Sequence, residues 1–334
     1  MSVRISIIIK ALNEERNIAH TLESALAVVD AVGGSAEVIL ADSLSTDRTV
    51  EIAKTYPIRI VQLLDTADRC CGVGAEIGYR IARGEYLYIL DADMALDPEF
   101  VVAAVAALDA DSTIAGVGGL IEEMNIVNAE FRGRVGKSTA HLQPGEVDRL
   151  NGGGLFRKSA VDKLGYLTNR NLHAFEEYEL AVRLRANGWR LVRLNQVAVK
   201  HYGHTDASFA LLWRRWRARY AWGAGELLRE AWGSHYFGTV LRSIQLYRQG
   251  AMVAAWWMAA LISGGLALLY PGVWWLVGAL LTTPFVAAAV RRKSIADGVY
   301  VVAFQNLYTA GIIAGFFAAK RGDPRVAPVL RELK

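Results

Sequence analysis

Two runs of about 18 residues without a charged side chain, 252–269 and 273–290, restrict this chain more than any other feature of it. Hydrocarbon offers a backbone no water to bond, so a run of that length must be helical, and it is long enough to cross a bilayer. Tyr270-Pro271-Gly272 between the runs reads as a tight turn. A third apolar run, 299–319, carries Gly311-Ile312-Ile313-Ala314-Gly315, the small-residue spacing that lets helix backbones approach closely in lipid. Three spans are expected over a transmembrane region at 251–320, followed by a basic tail at 321–334. Basic residues flank the third run on both sides, so charge leaves open whether it crosses or re-enters. Arg242 and Arg248 precede the first pair of runs and Arg291-Arg292-Lys293 follow it, which places both flanks, and the chain before them, in the cytoplasm.

The 53% hydrophobic composition is concentrated in those runs, so the front of the chain is expected to be a water-facing domain at 1–206. The net charge of +4 is no argument for nucleic acid, because the basic residues gather around the apolar segments. Anionic membrane lipids are the partner that such a distribution suits. Between the two parts, 207–250 reads as interfacial helices. Trp213, Trp216 and Tyr220 alternate there with Arg214, Arg215, Arg217 and Arg219, aromatic bodies at headgroup depth beside cationic heads. Contact of Arg215 and Trp216 with a substrate is the other reading. Cys70 and Cys71 are the only cysteines, adjacent, and fit neither a disulfide framework nor a zinc spacing.

In the front domain, β-branched runs at 4–9, 37–40, 58–64 and 86–90 alternate with helical periodicity, as in Ile18, Leu22, Ala25, Leu26 and Val29. Residues 1–10 read as a first strand rather than a signal peptide. Strand alternating with helix predicts a mostly parallel α/β sheet, whose ligands belong at the carboxyl ends of the strands. Asn13 and Glu14, Asp42, and the pair Asp91 and Asp93 all fall at such ends. Two hard oxygen ligands two residues apart suit Mg²⁺ or Mn²⁺ shared with a phosphate, although most such pairs are solvated turn residues. Gly72-Val73-Gly74 and Gly78 approach a dinucleotide fingerprint, but the spacing is one residue too long and no strand immediately precedes it. Gly152, Gly153 and Gly154 permit either close backbone approach to a ligand or an ordinary loop.

A helix is expected over 174–187, closed by Gly188. On its 3.6-residue period Glu177 shares a face with Leu180, Ala181 and Leu184, whereas Glu176, Glu179 and Arg183 share another. The spacing of Glu179 and Arg183 is that of a solvated surface ion pair. Glu177 on an apolar face is different: partial burial raises a carboxylate's pKa towards that of a usable base. His201 and His204 follow the last strand of the domain, open to hydrogen-bonding or ligand roles.

Together these motifs resemble the membrane-associated family-2 glycosyltransferases of GT-A fold, across about residues 4–205. The resemblance is carried by Ile7-Ile8-Ile9-Lys10-Ala11-Leu12-Asn13-Glu14, Ala41-Asp42-Ser43-Leu44-Ser45-Thr46-Asp47-Arg48-Thr49, Asp91-Ala92-Asp93, Asn151-Gly152-Gly153-Gly154 and Glu176-Glu177-Tyr178-Glu179-Leu180. It implies a Rossmann-like nucleotide-sugar domain followed by interfacial and transmembrane helices, and a donor that is a UDP- or GDP-sugar. Glu14 and Asp42 would contact the nucleoside, with backbone from Ala11, Leu12 and Asn13 shaping its pocket. Asp91 beside Ala92 would orient the donor, Asp93 would hold Mg²⁺ or Mn²⁺ with His201 as a further ligand, and Glu177 beside Glu176 would be the base. Gly152–Gly154, Arg215 and Trp216 would face a lipid-linked acceptor at a bacterial inner membrane. The chain departs from the family pattern where Lys10 or Ala11 stands for a frequent Pro, where Glu177 stands for a usual Asp, and where Ala75-Glu76 replace a frequent Arg-Asn, leaving Arg69 as the candidate cation for the diphosphate. Transfer onto polyprenyl phosphate itself and a non-catalytic nucleotide-sugar-binding scaffold are the competing readings.

Overall fold

A computed structural model describes residues 3–126, 142–203 and 206–334, so His204 lies outside the described residues. The chain forms two compact units, one holding the described residues up to 203 together with 320–334, the other holding 206–319. In the first, strands β1 (Ile5–Ala11), β2 (Ala36–Asp42), β3 (Arg59–Leu63) and β4 (Tyr86–Asp91) are parallel neighbours in the order β3-β2-β1-β4. Helices α1 (Ile18–Ala31), α2 (Thr49–Ala53) and α3 (Cys71–Ile81) connect them. The run Ile5-Ser6-Ile7-Ile8-Ile9 is buried on both sides, as a central parallel strand requires. Ile5, Ile7 and Ile9 enter one core with α1, and Ile8 enters the other with α3.

Beyond β4 the sheet turns mixed. It continues through β8 (Gly154–Arg157), β6 (Ile114–Glu123), β9 (Arg190–His201) and β5 (Met94–Leu96), with β7 (Gly145–Glu146) on β9. Helices α4 (Pro98–Ala110), α5 (Lys158–Leu164) and α6 (Glu176–Ala186) complete this unit. The glycines that approach a dinucleotide fingerprint lie on α3 and serve packing. A Cβ at Gly78 would collide with Ile8 Cγ2, and one at Gly74 would press on Lys10 at 3.2 Å. Those glycines bring α3 down onto β1.

Residues 321–334 are more than a tail. β10 (Leu330–Glu332) pairs antiparallel with β3, and Arg331 donates to Gln62 Oε1 at 2.6 Å. Arg59 binds Glu332 at 2.9 Å, while Arg321 donates to the carbonyl of Arg69 at 2.7 Å. The edge of β3 is thereby covered, a common protection against edge-to-edge association.

The second unit begins with α7 (Ser208–Arg217), a helical turn at Tyr220–Trp222, α8 (Gly223–Ala231) and α9 (Phe237–Ser243). Three helices follow that are long and apolar enough to cross a membrane: α10 (Gln245–Leu269), α11 (Trp274–Arg292) and α12 (Ile295–Phe317). Pro284 interrupts α11 and removes the amide that would serve the carbonyl of Leu280. The indole of Trp256 on α10 donates to that carbonyl at 2.8 Å, so the lost bond is made good by the neighbouring helix.

Truncation after residue 327 removes β10 and its side-chain bonds. A loss on the order of 2 kcal/mol is expected, a drop of roughly 4–8 °C in Tm. Thermal unfolding of the purified protein in detergent measures it, and an unchanged Tm would show that β10 contributes nothing to stability.

Candidate functional site

The site grows from the carboxyl ends of three adjacent parallel strands. Register sets Lys10 of β1 opposite Asp91 of β4 and Ala11 opposite Asp42 of β2. Ser6, Ile8 and Lys10 share one face of β1, so the Lys10 side chain runs into the space that Gly74 leaves open. Its ammonium lies 2.9 Å from Asp91 Oδ1, 3.2 Å from Glu176 Oε1 and 3.5 Å from Glu177 Oε1. Burial works against the charge on Lys10, but the three carboxylates outweigh it and hold the pKa well above the ordinary lysine value.

Glu176 and Glu177 open α6 and point back to the sheet. Glu177 is pushed up to about 7, first by burial and then by Asp91 and Glu176, with Lys10 opposing. The amide of Gly153 donates to its carboxylate. Gly152 and Gly153 have φ of +70° and +89°, and a Cβ on Gly153 would collide with the carbonyl of Ile89 in β4. Gly154 is already in β8, paired with Ile89. The triplet therefore sets an amide against Glu177 at the end of β4.

The expected solvated pair on the other face of α6 is corrected by the structure. Glu176, Glu179 and Arg183 are all buried. Arg183 donates to Glu179 Oε1 at 2.8 Å and to the carbonyls of Tyr166 and Leu167, and it stacks 3.8 Å over the Tyr166 ring. The Tyr166 hydroxyl binds the same Glu179 oxygen at 2.8 Å. The segment at 166–167 covers this helix face and supplies partners to Arg183 and to Glu179 Oε1, while Glu179 Oε2 is buried without a hydrogen bond.

Asp91 and Asp93 part company at the turn between β4 and β5. The amide of Ala92 donates to the Lys10 carbonyl, and the Ala92 carbonyl accepts from Thr21 Oγ1 at 2.8 Å. Asp91 faces Lys10, whereas Asp93 Oδ2 lies 3.3 Å from His201 Nε2. Parallel pairing of β6 with β9 sets Glu123 beside His201, and Glu123 Oε2 meets His201 Nδ1 at 2.6 Å. Burial would lower the imidazole pKa, but its hydrogen bonds to Asp93 and Glu123 push it up to about 10. Among the described residues no three His, Cys, Asp or Glu side chains form a metal cage. A divalent ion could take Asp93 and His201 only in place of the proton that the imidazole shares with Asp93, because a protonated imidazole has no lone pair to offer. Glu123 fixes the imidazole ring from behind.

On the other side of β1, the segments 11–15 and 43–49 are laced together. Asn13, at φ +58°, donates its amide to Ser45 Oγ and accepts from the Thr46 amide at 2.7 Å. The Glu14 amide donates to Thr49 Oγ1 at 2.8 Å, and the Glu14 carboxylate accepts from Asn17. Asp42 is fully buried and accepts from the Ser45 amide and from Gln62 Nε2 at 2.7 Å. Asp42 thus holds its loop from within. Arg69 donates to the carbonyls of Ser43 and Leu44, which makes it a brace of that loop as it stands. Leu12 is exposed beside this backbone cradle.

Arg215 and Trp216 belong to the second unit. Arg215 donates to the Tyr308 hydroxyl at 3.3 Å and stacks on Tyr220, and Trp216 packs edge-on against Trp222. Lys10, Glu123 and Gln62 are site residues that motif reading passes over. Lys10 carried a signal, as the polar end of an otherwise apolar strand face; Glu123 and Gln62 become visible only through strand register.

Residues 6–165 match the model of the family Glycosyl transferase family 2. Over 118 residues the chain is 30% identical to the undecaprenyl-phosphate 4-deoxy-4-formamido-L-arabinose transferase of Edwardsiella ictaluri (strain 93-146). That match spans 34% of this chain and 36% of the relative, about a third of each. Among solved structures, the mannosyltransferase PcManGT from Pyrobaculum calidifontis, in complex with GDP-Man and Mn²⁺, superposes with a TM-score of 0.65 at 20% identity, over 95% of this chain and 88% of its own. TarS 1–349 of S. aureus, in complex with UDP-GlcNAc, gives a TM-score of 0.52 at 16% identity, over 93% and 91%. At such identities the likeness is one of fold, and the fold is GT-A-like.

The carboxyl of Glu177 is expected to titrate near pH 7 in difference infrared spectra. Lys10→Met removes the opposing cation and should raise that midpoint to about 8 or above, whereas Asp91→Asn should lower it. A midpoint that ignores both substitutions would break the electrostatic link between these residues.

Proposed function

From the match of residues 6–165 to the model of Glycosyl transferase family 2 and the geometry of the site, we propose that the protein is a metal-dependent, inverting glycosyltransferase. It moves a sugar from a UDP- or GDP-sugar onto a hydroxyl of a membrane-held, polyprenyl-linked saccharide in surface-glycan assembly. The catalytic domain faces the cytoplasm at a bacterial inner membrane. The observation that carries this reading is a carboxylate poised near neutrality, Glu177, grouped with Lys10 and Asp91 at the strand ends that also present the Asp93 and His201 pair.

The backbone of Ala11, Leu12, Asn13 and Glu14 and the loop after Asp42 cradle the nucleoside, and Arg69 holds that loop in shape. Asp91 orients the donor sugar while bound to Lys10. Asp93 and His201 would hold Mg²⁺ or Mn²⁺, which supplies positive charge against the diphosphate leaving group. Glu177 takes the proton of the acceptor hydroxyl as its oxygen bonds to the anomeric carbon and the bond to the diphosphate breaks on the opposite face. A pKa near 7 suits this task, since the group is ionised often enough to accept a proton and basic enough to keep it. Gly153 and Lys10 keep the carboxylate oriented.

A second reading takes the acceptor as polyprenyl phosphate, and the name of the undecaprenyl-phosphate transferase that matches this chain favours it. The two readings separate on chemistry. A phosphate oxygen is already ionised at neutral pH and needs no base, whereas a hydroxyl does.

The purified full-length protein, given UDP- and GDP-sugars, Mn²⁺ or Mg²⁺, and lipid-linked acceptors, is expected to turn over one donor. No turnover and no nucleotide-sugar binding across the panel would end the proposal. Glu177→Gln should lower kcat by about 10²–10⁴ with donor Kd unchanged; near-parental transfer onto polyprenyl phosphate would instead establish the second reading. Asp93→Asn and His201→Ala should each weaken Mn²⁺ binding, read by calorimetry, by about tenfold or more, and unaltered Mn²⁺ affinity would remove both from the metal site.

A further inference from the structure

Residues 320–334 follow three helices of membrane-crossing length, yet they belong to the α/β unit. Two of their arginines, Arg321 and Arg331, each start a line of hydrogen bonds that ends on the loop 43–46. That loop needs holding. Leu44 sits at φ +61°, in the left-handed region that a bulky side chain rarely adopts, and such a residue persists only where its surroundings enforce it. Part of the support is local: the Ser43 amide donates to the Ala11 carbonyl at 2.9 Å, and the Thr46 amide to Asn13 Oδ1 at 2.7 Å. The Leu44–Ser45 peptide between them is held from further away.

One line starts at Arg331 of β10. Its guanidinium donates twice to Gln62 Oε1, at 3.1 and 2.6 Å, and Gln62 Nε2 donates to Asp42 Oδ2 at 2.7 Å. A guanidinium only donates and a carboxylate only accepts, so between them the Gln62 amide has a single orientation. Gln62 and Asp42 are buried, and Asp42 accepts the Ser45 amide at 3.0 Å. The other line starts at Arg321. Its guanidinium donates to the Arg69 carbonyl at 2.7 Å and to His173 Nε2 at 2.8 Å, and its own amide donates to Asn171 Oδ1 at 2.7 Å. Arg69 in turn donates to the carbonyls of Ser43 and Leu44. The Leu44–Ser45 peptide is thus gripped at its carbonyl by one line and at its amide by the other, which fixes the plane of the peptide.

We propose that the C-terminal segment is a working part of the proposed donor site, with Arg331 and Arg321 as positioning residues that set the Leu44–Ser45 peptide for the nucleoside. This rests on the reading of loop 43–46 as part of a nucleotide-sugar cradle. Each arginine acts through other residues, Arg331 through Gln62 and Asp42, Arg321 through Arg69. Nucleotide affinity is thereby tied to residues that come after the apolar helices. Arg331 is exposed whereas Gln62 is not, so replacing the arginine leaves the core closed and changes only what the Gln62 amide faces.

The test is UDP and GDP binding to the purified full-length protein in detergent with Mn²⁺, read by calorimetry. Arg331→Ala should weaken the Kd of the nucleotide that the parent binds by about tenfold, what a hydrogen bond is worth. Arg331→Lys keeps a donor for the same oxygen and should stay within about threefold. Arg331→Glu should bind most weakly, because a carboxylate draws the Gln62 nitrogen and turns the Gln62 oxygen onto Asp42. The same loss in all three variants would overturn the inference, since the orientation of the amide would then not matter. Arg331→Ala combined with Gln62→Ala should bind no more weakly than Gln62→Ala alone, because the two act in series, and losses that multiply would break the line. Arg321→Ala should weaken the same Kd by about tenfold, and unaltered affinity would remove the second line. Hydrogen exchange at the Ser45 amide, measured without nucleotide, should quicken in Arg331→Glu but not in Arg331→Lys; equal rates would contradict the proposed grip. A parent that binds neither nucleotide ends the nucleotide-sugar reading and this inference with it. A parent that binds one, matched by Arg331→Glu, ends the inference alone.

Discussion

The ammonium of Lys10 is the interaction on which the rest of the site depends. It binds Asp91 from β4 and both glutamates that open α6, so one cation ties together the sheet and a helix more than 160 residues away in sequence. Three carboxylates in so small and so buried a volume would repel one another and protonate without it. With it, opposite unit charges about 3 Å apart gain about 5 kcal/mol even at an effective dielectric near 20. Burial and the neighbouring acids still win at Glu177, which is left near 7 rather than at an ordinary carboxylate value. The result is a group of acids that can coexist, with Glu177 held at the edge of ionisation.

Around that cation the fold is arranged in two directions. Towards β2 and β3, Arg331 of β10 binds Gln62, Gln62 binds Asp42, and Asp42 holds the amide of Ser45. This line of bonds runs from the C-terminal strand to the loop that the nucleoside is proposed to occupy. Towards β6 and β9, Glu123, His201 and Asp93 form a second line that ends one residue from Ala92, whose amide is bound by the Lys10 carbonyl. The proposed donor site is thus supported by strands from both halves of the sheet.

Much of this was legible from the residues. Apolar runs of five or six residues ending on polar clusters define β1 to β4 because a parallel strand buried on both faces leaves no other pattern. Glu177 stood out because a carboxylate among Leu180, Ala181 and Leu184 breaks the rule of its helix face. Glu179 and Arg183 were not legible, since an i, i+4 pair has the same spacing whether water or Tyr166 covers it. The glycines of α3 imitate a nucleotide fingerprint for a related physical reason: both motifs remove side chains so that backbones can approach, here helix to strand rather than loop to phosphate.

The sequence by itself determined the α/β order, the acids at the strand ends and the three apolar helices, because hydrophobic periodicity and chain length are local properties. The tertiary structure alone decided which charges meet and which segments pair. Lys10 becomes a hub, Glu123 a support for His201 and Leu330–Glu332 a strand only when register brings distant segments side by side.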